Sequence, residues 1–136
     1  MKITFVVPSL GLGGGVRVVF EYANRLTDRG HEVSIVYPLM PPNSKPSSSM
    51  VSSIKRMGSA ALNLMRGNNV DWFDVKAKLV RIPTINPSAI LNTEHLVPDA
   101  DVIIATAWET AYFVNNLNNR KGKKFYFIQH YEIWDI

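Results

Sequence analysis

Glycine is concentrated in one short stretch, where the sequence reads GLGGGVR from position 11 to position 17. Glycine has no side chain, so the backbone there can approach a ligand closely. A helix is predicted to begin after this stretch, and the first turn of a helix presents free N–H groups and a partial positive charge to an anion. Gly13, Gly14, Gly15 and Arg17 are therefore candidate phosphate- or sugar-binding residues. The alternative is a flexible turn that binds no ligand.

The glycine stretch matches neither of two common nucleotide-binding motifs. A G-x-G-x-x-G fingerprint that starts at Gly11 needs a third glycine at position 16, where the chain has Val16. The next predicted strand ends at Tyr37-Pro38 and lacks the acidic residue that binds a ribose. No Gly-Lys-Ser/Thr sequence follows at the spacing of a P-loop. A dehydrogenase is therefore a distant alternative.

Further candidates follow two later apolar segments. Trp108 and Glu109 come directly after one of them, and Gln129, His130 and Glu132 come at the end of the other. A tryptophan ring can stack on a sugar, although core packing is its more common role. An imidazole, with an unperturbed pKa of about 6.5, suits hydrogen bonding to hydroxyl or phosphate groups. A structural histidine is the alternative for His130.

The elements that must position these residues alternate between strands and helices. Apolar runs predict five strands, over 2–8, 32–37, 75–82, 101–107 and 124–129. Apolar residues spaced three and four positions apart predict three helices, one from residue 16, one over 54–66 and one over 109–119. Gly30 is predicted to end the first helix with a positive φ. The third strand is more polar and is expected at a sheet edge. This alternation predicts an α/β fold, a doubly wound parallel Rossmann-like sheet of about five strands with helices on both faces and the strand order 3-2-1-4-5.

Such a sheet binds ligands outside the carboxyl ends of its strands, where the strand order reverses. In the predicted order this point lies between strands 1 and 4, so the glycine stretch, Trp108, Glu109 and the segment 129–132 are expected along one edge. The D-x-D pattern Asp99-Ala100-Asp101 precedes strand 4 and falls on the opposite edge. We therefore expect a solvated turn there, and no metal site.

Composition excludes several classes of protein. The chain has 136 residues, a length that allows one core. It has no cysteine, which excludes a disulfide framework and cysteine-based metal sites. The net charge is +4, with a basic run over 120–124 that is expected to be a solvated turn. No basic stripe with interleaved aromatic residues is present, so no nucleic-acid partner is expected. The absence of a signal peptide or a long apolar run predicts a soluble, cytoplasmic protein.

The predicted helix over 54–66 is preceded by a loop rich in proline and serine over 38–53. Its apolar residues fall on one helical face, and it also carries Lys55, Arg56 and Arg66. Packing on the sheet is the more common arrangement for such a helix. The alternative is peripheral contact with an anionic membrane, at the inner face of the membrane.

Five stretches carry a family resemblance: GGGVRVVFE at 13–21, ANRL at 23–26, RGHEV at 29–33, DVIIAT at 101–106 and YFIQHYE at 126–132. Together they resemble the amino-terminal domain of GT-B glycosyltransferases of family 4. The match is spread over most of the chain and is weakest between residues 38 and 99.

The resemblance implies a retaining, metal-independent glycosyltransferase of the hexosyltransferase type, with no cofactor and a nucleotide sugar as co-substrate. It implies that this domain mainly holds the acceptor, a glycan, a lipid or a small molecule. Gly13 to Gly15 would face the donor phosphates, His130 would lie near the reaction centre, and Gln129 and Glu132 would be its neighbours. The family's second domain, which holds the nucleotide, lies outside residues 1–136.

On this interpretation the chain is one half of a GT-B fold, cut before a closing helix, and is inactive alone. A partner or another part of the same protein would then cover part of strand 5. The alternative is a free-standing, non-catalytic module that binds a phosphate or a sugar, or a partner protein.

Overall fold

The fold is a parallel sheet between helices. The computed structural model describes residues 1–40, 50–67, 70–87 and 93–129. Its main elements are β1 (Lys2–Val6), α1 (Gly14–Asp28), β2 (Glu32–Pro38), α2 (Met50–Arg66), β3 (Lys78–Ile82), β4 (Val102–Ala105), α3 (Trp108–Asn116) and β5 (Lys123–Tyr126). The five strands are all parallel and have the order β3-β2-β1-β4-β5. The predicted Rossmann-like α/β sheet and its strand order are therefore confirmed.

The central strands are apolar because both of their faces are covered. Phe5 belongs to a core cluster that includes Phe20 of α1, whereas its neighbour Val6 belongs to a second cluster that includes Phe113 of α3. Successive side chains of a strand point to opposite faces of the sheet. Helices α1 and α3 thus cover opposite faces, as right-handed crossovers in two directions require.

The largest difference from the predicted boundaries is at α2, which begins at Met50 instead of residue 54. The difference at β3 has a clear cause. Gly30 has φ +85°, as predicted for the residue that ends α1. The third strand was predicted from residue 75, but β3 begins at Lys78. The Asn24 side chain of α1 accepts a hydrogen bond from the Lys76 N–H (2.8 Å) and donates one to the Asp74 carbonyl (2.7 Å). The Lys76 N–H and the Asp74 carbonyl are therefore bonded to a side chain of α1, and β3 begins only after them.

The amino-terminal edge of the sheet is held by charged side chains. Asp101 accepts a hydrogen bond from the Lys2 N–H (2.7 Å), and Asp99 pairs with Lys121 (2.8 Å). The hydrogen bond from Lys121, together with its charge, lowers the pKa of Asp99. Both aspartates are exposed and lie on this edge, as predicted.

The basic run over 120–124 is more than the solvated turn that was expected. Lys121 also donates to the Val97 carbonyl (2.8 Å). Lys124 donates to the carbonyls of Asn115 (2.8 Å) and Leu117 (2.5 Å), where α3 ends. Lysines suit this position because the carboxyl end of a helix carries a partial negative charge and carbonyls without intrahelical partners.

Helix α2 differs from α1 and α3 in its environment. Every α2 residue whose side chain is described is exposed, including the large apolar residues Met50, Ile54, Met57, Leu62, Leu64 and Met65. Neither core cluster of the described residues contains an α2 side chain. The described side chains of α2 therefore show no packing on the sheet, which is the more common arrangement for such a helix. Among the described helices, none is long and apolar enough to cross a bilayer.

Candidate functional site

The first turn of α1 is open at the carboxyl edge of the sheet. Gly13 precedes the helix in an extended conformation (φ −159°, ψ 147°) and has no side chain that could accept a hydrogen bond from the turn. The first intrahelical hydrogen bond runs from the Arg17 N–H to the Gly13 carbonyl (3.0 Å). The N–H groups of the three preceding residues therefore have no intrahelical acceptor. Gly14 and Gly15 are exposed, and the turn contains no acidic residue that would repel an anion.

The Gln129 side chain lies directly against this turn. A β-carbon placed on Gly15 would be 3.2 Å from the Gln129 side-chain oxygen and 3.5 Å from its nitrogen. The segment after β5 is also fixed against α1 by Phe127, whose ring meets the Tyr22 ring edge-on at 5.5 Å. The structure thus brings together two of the predicted site residues, which are 114 positions apart in the chain.

The loop between β1 and α1 is held from its other side by Trp72. The indole N–H donates to the Leu10 carbonyl (3.1 Å), and the ring stacks on Phe20 at 5.4 Å. Phe73 adds a second contact with Phe20 at 5.6 Å. Trp72 occurs in a polar turn, and no periodicity in the sequence indicated this position.

Trp108 and Glu109 begin α3 at the same edge, next to β1. The Thr110 hydroxyl accepts hydrogen bonds from the N–H groups of Thr106 and Ala107 (both 3.0 Å), and so fixes the turn that precedes the helix. The Thr106 hydroxyl in turn donates to the Val6 carbonyl at the end of β1 (2.8 Å). These buried contacts hold the start of α3 beside the point where the strand order reverses.

Arg17 lies in a different environment. It lines a shallow depression of about 390 Å³ on α1, together with Val18, Glu21, Tyr22 and Arg25. It is not among the residues that line a larger cleft between the glycine loop and β3. The structure therefore places Arg17 on the outer face of α1, near the open turn but outside that cleft.

The larger cleft, of about 620 Å³, lies on the side of the glycine loop away from Gln129. Its walls are the loop 8–12, residues 37–39 at the end of β2, residues 70–72 and Arg81 of β3. These segments meet because β1, β2 and β3 are adjacent and parallel, so that their carboxyl ends share one edge. The glycine loop thus has Gln129 on one side and the cleft on the other.

Tyr37 and Arg81 are two of the polar residues that line this cleft, together with Ser9 and Asp71. Tyr37 and Arg81 are direct neighbours across β2 and β3, so their side chains share one face of the sheet. Burial raises the pKa of the Tyr37 hydroxyl, and the positive charge of Arg81 partly opposes this. The hydroxyl stays protonated at neutral pH and can donate a hydrogen bond, while the guanidinium offers several donors. With the half-buried Trp72 ring alongside, this cleft combines aromatic and polar groups that suit a hydroxylated ligand.

Two predicted site residues, His130 and Glu132, lie outside the described residues. The cleft residues Tyr37, Trp72 and Arg81 are not among the site residues predicted from the sequence. A signal for Tyr37 and Arg81 existed, because both come near the ends of predicted strands whose carboxyl ends share the ligand edge. In the described residues, no group of three or more acidic, histidine or cysteine side chains could hold a metal ion.

Comparisons of the chain with protein-family models, with curated proteins and with solved structures returned no match.

Proposed function

We propose that the chain is the acceptor-side domain of a retaining, metal-independent glycosyltransferase with a GT-B fold. The observation that carries the proposal is the contact between Gly15 and Gln129 at the open first turn of α1. The turn offers N–H donors to an anion, and a cleft of about 620 Å³ opens on the other side of the same loop. A nucleotide sugar and an acceptor could therefore meet at this loop.

In the proposed reaction, the acceptor oxygen forms a bond to the anomeric carbon while the bond from that carbon to the donor phosphate breaks. The proton of the acceptor hydroxyl passes to the departing phosphate or to water. Negative charge develops on the leaving diphosphate, and the N–H groups at the start of α1 are oriented to stabilise it. The Gln129 amide lies within contact distance of that turn and can donate a further hydrogen bond.

The cleft is proposed to hold the acceptor. The Tyr37 hydroxyl and the Arg81 guanidinium would bind sugar hydroxyls or a phosphate, and Trp72 would contact an apolar sugar face. His130 and Glu132 enter through the family resemblance alone, His130 as a residue near the donor sugar. Trp108 and Glu109 would border the donor from the start of α3. The nucleotide would be held mainly by a second domain, and we propose a cytoplasmic location.

The first test is the binding of pyrophosphate to the chain, followed by amide NMR. Shifts are expected at Gly14, Gly15 and Gln129. Gly15→Ala is expected to weaken binding severalfold, because its methyl group would displace the Gln129 amide, whereas Gly14→Ala is the matched control because nothing lies within 4 Å of its added methyl. Alanine favours the helix over glycine, so both variants should fold. If the two variants bind pyrophosphate with equal affinity, Gln129 is not part of the anion-binding site.

The second test concerns catalysis. The gene is sequenced beyond codon 136, and the whole product is assayed for transfer from nucleotide sugars. The family resemblance implies a further βαβ region with paired glutamates that support the nucleotide, and we expect to find it. We also expect loss of transfer on His130→Ala and negligible turnover by residues 1–136 alone. Robust turnover by residues 1–136 contradicts the proposal. Pyrophosphate binding without transfer by the whole product favours a non-catalytic binding module.

A further inference from the structure

We infer that α2 is a docking surface for an anionic phospholipid bilayer. The apolar residues of α2 recur at helical spacing, with Met50, Ile54, Met57, Ala61 and Leu64 separated by four, three, four and three positions. This spacing forms a continuous stripe along one side of a helix. All five residues are exposed, and Met65 beside them is 85% exposed. The stripe therefore lies open to solvent along the helix.

The distribution of charge indicates which partner covers the stripe. The chain has fifteen Lys and Arg residues against eleven Asp and Glu residues. Residues 33–70 contain four of the bases, Lys45, Lys55, Arg56 and Arg66, and none of the acids. The other eleven bases are balanced by the eleven acids. The entire net charge of +4 thus belongs to the segment that contains α2.

A surface that combines this apolar stripe with unbalanced positive charge is complementary to anionic lipid. Helices of this kind lie in the plane of the interface, with the apolar side among the acyl chains and the basic residues near the headgroups. The seventeen residues of α2 are long enough for such contact, at about 25 Å for a rise of 1.5 Å per residue. Lys55 is exposed and available to the headgroups. Helix α2 is also followed by Gly67, which lines the proposed acceptor cleft, so docking would bring that cleft to the lipid surface.

The test is co-sedimentation of the chain with vesicles of phosphatidylcholine alone and of phosphatidylcholine mixed with phosphatidylglycerol. Binding is expected to be at least tenfold tighter to the mixed vesicles, because each base near an anionic surface contributes roughly fivefold. Raised salt should weaken the binding through screening. Equal affinity for both vesicle types, or no binding to either, overturns the inference.

Matched variants separate the two contributions. The double variant Ile54→Gln, Met65→Gln should lose binding at least tenfold, whereas Leu96→Gln, an exposed apolar residue outside α2, should bind like the parent chain. Glutamine is a good helix former, so α2 is retained. Lys55→Gln should reduce the preference for the mixed vesicles, and Lys78→Gln on β3 should not.

A second copy of the chain is the competing occupant of the stripe. Sedimentation velocity without lipid distinguishes the two. A monomer supports the inference, and a dimer that Ile54→Gln, Met65→Gln abolishes overturns it. The result is independent of the proposed transfer reaction, because pyrophosphate binding at Gly15 is measured without vesicles.

Discussion

The start of β5 offers a quantitative test of the fold through Gly122. This residue ends a short 3₁₀ turn (Asn119–Lys121) and has φ +118° and ψ 168°, a conformation that is essentially restricted to glycine. A methyl group placed there would lie 2.9 Å from the Val102 nitrogen, 3.0 Å from its carbonyl carbon and 3.1 Å from the Ala100 oxygen. All three contacts are with the backbone of β4 and the turn before it. None of these three atoms belongs to a flexible side chain that could move aside.

Gly122→Ala should therefore destabilise the chain strongly. The backbone conformation costs roughly 1–3 kcal/mol for a residue other than glycine, and the overpacking costs about the same again. The expected loss is about 2–6 kcal/mol of the free energy of unfolding, a large part of the roughly 5–15 kcal/mol of a typical domain. The measurement is urea denaturation followed by tryptophan fluorescence.

Gly30→Ala is the matched control for this prediction. Gly30 also has a positive φ (+85°), but nothing lies within 4 Å of an added methyl group. Only backbone strain remains, at roughly 1–2 kcal/mol. If the two variants lose the same free energy, the close approach of Gly122 to β4 is refuted. Since β5 pairs with β4 and leads to Gln129, Gly122→Ala should also weaken pyrophosphate binding, whereas Gly30→Ala should not.

Three further predictions follow from single contacts. Burial raises the pKa of Tyr37 in the folded state above its ordinary value of 10.0. The contribution of this shift to the free energy of unfolding is complete below pH 10.0 and is lost as the pH rises through the folded-state pKa. Tyr37→Phe should therefore flatten the fall in the urea midpoint above pH 10.0. Thr110→Val should cost about 1–3 kcal/mol in urea denaturation by leaving the N–H groups of Thr106 and Ala107 unpaired, and Thr110→Ser should restore most of it. Asn24→Ala should lower the free energy of unfolding, measured by thermal denaturation, by about 1 kcal/mol. It should also speed hydrogen exchange of the backbone N–H of residue 76.

The sheet could be predicted from the sequence because its determinants are local. Residues 3–7 are apolar except for Thr4, which is typical of a strand covered on both faces. The handedness of the crossovers then leaves few possible orders for the strands. The position of the glycine loop beside Gln129 followed from the same reasoning, because both come after strands on the ligand edge.

The part of the cleft formed by Trp72 could not be predicted, because it depends on a contact between distant segments. Trp72 binds the Leu10 carbonyl across 62 positions, and nothing in the turn around Trp72 indicates that acceptor. The basic run over 120–124 presented a similar difficulty. Its charges are visible in the sequence, but the carbonyls of Asn115 and Leu117 that Lys124 meets are not.

Helix α1 connects the two sides of the proposed site. Gly15 in its first turn contacts Gln129, Phe20 stacks on Trp72 beside the cleft, and Asn24 anchors the segment that leads from the cleft to β3. Gly15 and Asn24 are nine residues apart, or about 13 Å along the helix. A change at Asn24 should therefore reach the proposed acceptor cleft through residues 70–76 and leave the contact between Gly15 and Gln129 intact. Because of this separation, we expect that ligand binding in the cleft and pyrophosphate binding at Gly15 can be weakened independently, although one helix supports both.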